Sequence, residues 1–106
     1  MITDAAVESA VHFYAANAER AGELRGAIEA QKHRAKVMAA TAFLEATGTV
    51  AERERIADTN KSVVAAMEAH HNAVADYETL RTQLKAAELR IEVWRSQQAS
   101  SRRGHA

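Results

Sequence analysis

VVAAMEAHHNAVADYETLRTQLKAAELRIEVW, residues 63 to 94, is the stretch that decides the fold. Val63, His70, Tyr77, Leu84 and Ile91 recur every seven residues, and Ala66, Ala73, Leu80, Ala87 and Trp94 follow each of them by three. That spacing keeps one stripe of a helix turned toward a neighbour over more than four heptads. Glu68, Asp76, Glu78, Arg81, Lys85, Glu88, Arg90 and Glu92 all fall off the stripe. The stripe is a packing seam, with His70 as a polar residue that sets register. Val63, His70, Tyr77, Leu80, Leu84, Ile91 and Trp94 are the expected self-association contacts along it.

On the C-terminal side the apolar period stops at Trp94, and RSQQASSRRGHA reads as a fraying helix end followed by a polar basic tail over 99–106. On the N-terminal side lies DTNKS, residues 58–62, which apart from Lys61 are weak helix formers that compete for local backbone bonds. Ile56 keeps the heptad phase of Val63, so the stripe is expected to pass through as a continuous or slightly kinked helix, with any kink near 59–62. Further back, Thr47-Gly48-Thr49 is the clearest punctuation in the chain. Gly48 suits the left-handed residue that ends a helix, and Thr49 with Glu52 forms a capping box that starts the next. So short a connection reverses the chain, and it places Phe43 level with Arg53, Ile28 with His70 and Val7 with Arg90.

The first arm opens with Thr3 or Asp4 as a cap. Its seam reads Val7, Ala10, Tyr14, Asn17, Ala21, Leu24, Ile28, Gln31, Ala35, Met38 and Ala42, with Val11, Phe13, Val37, Phe43 and Leu44 widening it. The fold expected is all-α: an antiparallel hairpin of two long helices over 1–98, at about 4–46 and 50–97, roughly 65 Å long at 1.5 Å per residue. Small seam residues bury little area, at about 25 cal/mol per Å². A lone hairpin of this composition is therefore expected to self-associate into a helical bundle.

Composition agrees. The 106 residues include no Pro, no Cys and four Gly, and no strand-like run stands between turn residues. Formal net charge is zero, so no global field draws the chain to nucleic acid or membrane. No apolar run approaches the ~20 residues of a membrane helix, and the N-terminus lacks the form of a signal peptide. A soluble protein of the bacterial cytoplasm is expected.

Catalytic chemistry has no foothold: there is no phosphate loop, nucleophile elbow or HExxH pattern. His70 and His71 diverge by about 100° on a helix and no di-metal Glu-x-x-His motif exists, so no catalytic residue, metal site or cofactor is assigned. What remains is a basic C-terminal end with Arg81, Lys85, Arg90, Arg95, Arg102 and Arg103. Cations there complement the helix dipole, or they contact phosphates with Trp94 or the tail available for base stacking. Arg90, Arg95, Arg102 and Arg103 are the candidate nucleic-acid or partner contacts.

The motifs Y-E-x-L-R at 77–81 and A-E-x-x-I-E-x-W-R-S at 87–96, with the trailing A-S-S-R-R, resemble small helical bacteriophage proteins associated with recombination and single-strand annealing modules. The likeness rests on residues 75–103 and carries over no functional residue. It implies an accessory role in DNA recombination or replication, through single-stranded DNA or a DNA-bound recombination protein. The other reading is a helical protein-interaction module (scaffold, assembly factor or inhibitor of a host enzyme) with no DNA contact. The secreted WXG-type hairpins share only the shape, since Ala46-Thr47-Gly48 stands where they carry tryptophan and glycine.

Overall fold

Thr3 starts the first helix. Its Oγ1 accepts the Ala6 N–H at 3.1 Å and its carbonyl accepts that of Val7. The computed structural model describes residues 1–104, and in it α1 (Asp4–Glu45) is followed by α2 (Val50–Thr59) and α3 (Lys61–Gly104). No strand occurs among the described residues. The turn after α1 uses the chemistry its sequence announces. Gly48 has φ +114°, a backbone state that only glycine adopts without strain, and Thr49 Oγ1 accepts the Glu52 N–H at 3.2 Å.

The chain divides into two compact units, a turn unit of Glu23–Tyr77 and a terminal unit of Met1–Gly22 with the chain from Glu78 onward. In each, a length of α1 packs antiparallel on a length of α3. The turn unit centres on Ala42, Ala57 and Val63, with Met38, Ala39 and Phe43 packed against them. Ala66 is buried there too, while the terminal unit buries Ala10, Leu80 and Ala87. Five of these seven residues are alanines, and among the described residues no large side chain is fully enclosed. Such a core permits close helix approach but gains little from each residue.

Three sequence expectations change. The second arm is broken at Asn60, whose ψ of 129° leaves the helical region. Asn60 serves both sides of the break. Its N–H donates to the Ala57 carbonyl, and its Oδ1 accepts the N–H groups of Ser62 at 2.9 Å and Val63 at 3.3 Å. A short side-chain acceptor that satisfies the orphan donors of a new helix start stabilises the break over continuity. The stripe consequently shifts phase, so that Ala57 is 5% exposed and Ile56, expected to carry the seam, is 47% exposed.

At the other end α3 continues to Gly104 and overruns the expected stop at residue 97. Gln97, Gln98 and Ala99 all favour helix, and Arg102 and Arg103 in the last turn complement its dipole. Residues 105–106 of the expected tail lie outside the described residues. On α1, Tyr14 is 42% exposed and Phe13 is covered in its place. Of the residues expected to widen that face, Phe13 and Phe43 are half-buried, but Val11, Val37 and Leu44 are exposed.

Candidate interaction surfaces

The long seam of α3 is occupied by α1 of the same chain. In the turn unit Val63 is buried and His70 and Tyr77 are half-buried; in the terminal unit Leu80 is buried and Leu84, Ile91 and Trp94 are half-buried. These residues hold the hairpin shut, so any surface for a partner lies on its flanks. Polar contacts fix which residues meet. His70 Nδ1 lies 3.2 Å from the Ile28 carbonyl, and since a carbonyl only accepts, the ring proton sits on Nδ1. Trp94 Nε1 donates to Asp4 Oδ1 at 2.9 Å, and the Ile2 N–H donates to Gln97 Oε1 at 3.1 Å. Tied to Asp4 in this way, Trp94 serves the closure of the termini.

Arg53 escaped the sequence reading of function. Its Nε donates to the carbonyls of Phe43 at 3.2 Å and Ala46 at 3.0 Å, Nη2 reaches that of Leu44, and the guanidinium lies 4.8 Å from the Phe43 ring centre. It thereby satisfies the carbonyls left without helical partners at the end of α1. The level pairing of Phe43 with Arg53 was the signal that could have found it. Of the polar residues in the α1 seam, Asn17 donates to its own helix at the Phe13 carbonyl, but Gln31 Oε1 is buried without a partner.

Arg90, Arg95, Arg102 and Arg103 are all exposed. Arg95 and Arg102, seven residues apart, share a face of α3, and Arg103 lies about 80° round from Arg95. Arg90 stands about 140° from Arg95 and lines a shallow groove with Ala6, Ser9, Ala10, Phe13 and Ala87. The four therefore do not form one patch. Nearer the middle of α3, Arg81 pairs with Glu78 at 3.3 Å and Lys85 with Glu88 at 3.8 Å. Arg95, Arg102 and Arg103 make no ion pair among the described residues.

The His70 and His71 rings are 5.8 Å apart and tilted by 49°. Among the described residues no three His, Asp or Glu gather so as to hold a metal ion, and no helix is long and apolar enough to cross a membrane. No family model matches the chain, and no match was found among curated proteins or solved structures.

Proposed function

We propose that this chain is a non-enzymatic helical interaction module that works as a homo-oligomer and acts by docking protein surfaces. The observation that carries the reading is the amount of apolar side chain left outside a nearly all-alanine core. Val11, Val37, Leu44, Val50, Ile56, Val64, Met67, Leu89 and Val93 are each 40–73% exposed. Where such groups lie together they mark contact surfaces, and in this reading other chains cover them. The groove of Ala6, Ser9, Ala10, Phe13, Ala87 and Arg90 is shallow and lined mainly by small residues, which suits a docked helix better than a small substrate. Light scattering at micromolar concentration tests the oligomer: a mass of at least twice 11.6 kDa is expected, and a stable monomer refutes it.

A second reading has its own observation. Arg95, Arg102 and Arg103 project from the last turns of α3 without acidic partners among the described residues. Together with the resemblance of residues 75–103 to phage recombination accessory proteins, this supports contact with single-stranded DNA or a DNA-bound protein. In this reading the oligomer presents several such ends to one strand. Replacing the three arginines with Ala should weaken oligonucleotide binding alike across sequences and flatten the salt slope by roughly 0.7 per lost contact. Wild-type protein that binds no DNA at low salt removes this reading and leaves the first.

A further inference from the structure

We infer that α2 has two seatings against α1 and that Asn60 is the switch between them. In the seating described above, Asn60 breaks the second arm and Ala57 fills the seam. In the other, Asn60 is helical, the arm runs unbroken from Val50, and Ile56 fills the seam in place of Ala57.

The backbone differs little between the two. Asn60 has φ −62°, already the helical value, and only its ψ of 129° departs. Beyond it the helical ladder resumes at once, since the Val64 N–H donates to the Asn60 carbonyl at 2.9 Å. Straightening gives the N–H groups of Lys61, Ser62 and Val63 the carbonyls of Ala57, Asp58 and Thr59, four residues back. Ser62 and Val63 thereby exchange the Asn60 side chain for backbone acceptors.

The sequence carries a stripe for each seating. Counted back from Val63 at 100° per residue, an unbroken helix turns Thr59, Ile56 and Glu52 toward α1. Ala57 and Arg53 then lie about 100° round from the seam. The break reverses this arrangement: Ala57 is 5% exposed, Ile56 is 47% exposed, and Arg53 reaches the end of α1. With pairing set by Ile28 and His70, the unbroken helix brings Ile56 level with Ala42 and Thr59 level with Ala39. Both facing residues are alanines, so the position has room for a larger side chain. Ile56 also starts close by. It stands one helical turn from Asn60, which lines a groove with Val37, Thr41 and Ser62.

Forces of different kinds favour the two seatings. Polar contacts favour the break, through Asn60 Oδ1 and through the Arg53 bonds to the carbonyls of Phe43, Leu44 and Ala46. Apolar burial favours the unbroken arm, because Ile56 removes more hydrocarbon from water than Ala57 does. The seating decides what the turn unit offers a partner. Ile56 lies on the surface in one, and the Arg53 guanidinium is released in the other, so a partner that takes either group selects its seating.

Nuclear magnetic resonance on the full chain tests the switch. Wild type should show relaxation dispersion at the Ile56 methyl groups and at the amides of residues 60–63, reporting one minor state. Asn60→Ala caps neither helix and should make that state the major one. Its Cα shift at position 60 should become helical, and Ile56 should gain contacts with Ala39 and Ala42. Ile56→Ala should abolish the dispersion, because the unbroken seam then gains no apolar side chain. Three results overturn the switch: a wild type without this dispersion, minor-state shifts unlike those of Asn60→Ala, or an Asn60→Ala variant that keeps Ala57 in the seam.

Discussion

At the turn, Arg53 donates to the carbonyls of Phe43, Leu44 and Ala46, Asn60 caps two helices, Thr49 caps a third helix end and His70 reaches the Ile28 backbone. Among the described residues of the terminal unit, the polar contacts between the start of the chain and α3 are Trp94 with Asp4 and Ile2 with Gln97, and charged side chains pair along α3 itself. Both units share an alanine-rich seam, and alanine has no shape with which to resist a slide of one heptad. The difference teaches that register is set by hydrogen bonds to backbone at the turn and by two larger side chains at the termini. The seam supplies closeness; the polar contacts supply specificity.

The largest expected effect breaks the terminal unit. Leu80 is 7% exposed and is the one large residue buried there among the described residues. Leu80→Ala should lower stability by about 2–5 kcal/mol, and Leu80→Asp should abolish cooperative melting, as read in denaturant titrations. A wild-type melt in both would show that the terminal unit does not depend on its seam.

Removing Arg53 probes the turn unit next. Arg53→Ala strips the end of α1 of its charged donors and the Phe43 ring of its cation, and should cost about 1.5–3 kcal/mol. The neighbouring Arg55→Ala, at an exposed position, should change the melting midpoint hardly at all. Equal effects from the two would refute the capping role. The smallest effect sharpens the contrast at the termini. Trp94→Phe keeps an aromatic ring but loses the bond to Asp4, which lies in exposed surroundings, for an expected cost of about 0.5 kcal/mol. Asp4→Asn, which retains an acceptor, should cost less still.

The hairpin was legible in the sequence because two independent signals agree: the 3,4-spacing from Val63 to Trp94 and the Gly48, Thr49, Glu52 turn chemistry. The break at Asn60 was not, because Ile56 sits in phase with Val63 and argues for continuity. Hydrophobic periodicity reports which residues are apolar, and is blind to a single side chain that caps two helices at once. The exposure of Arg90, Arg95, Arg102 and Arg103 followed from their places off the apolar stripe. Their failure to share a face also lay in the spacing, since five residues from Arg90 to Arg95 turn a helix through about 140° beyond a full turn. Arg53 hid because its partners are carbonyls, which every residue has and no pattern marks.

The contacts of the two units also differ in how much chain they enclose. Arg53 meets Phe43 across ten residues, whereas Trp94 meets Asp4 across 90. In a flexible chain the longer closure costs about 2 kcal/mol more in lost conformational freedom. The bulkier seam residues Leu80, Leu84, Ile91 and Trp94 stand on the side that bears this cost. The small core of Ala42, Ala57 and Val63 stands where the chain is short-circuited by its own turn. Leu80, the largest of the buried residues, thus stands where bringing the chain together costs most entropy.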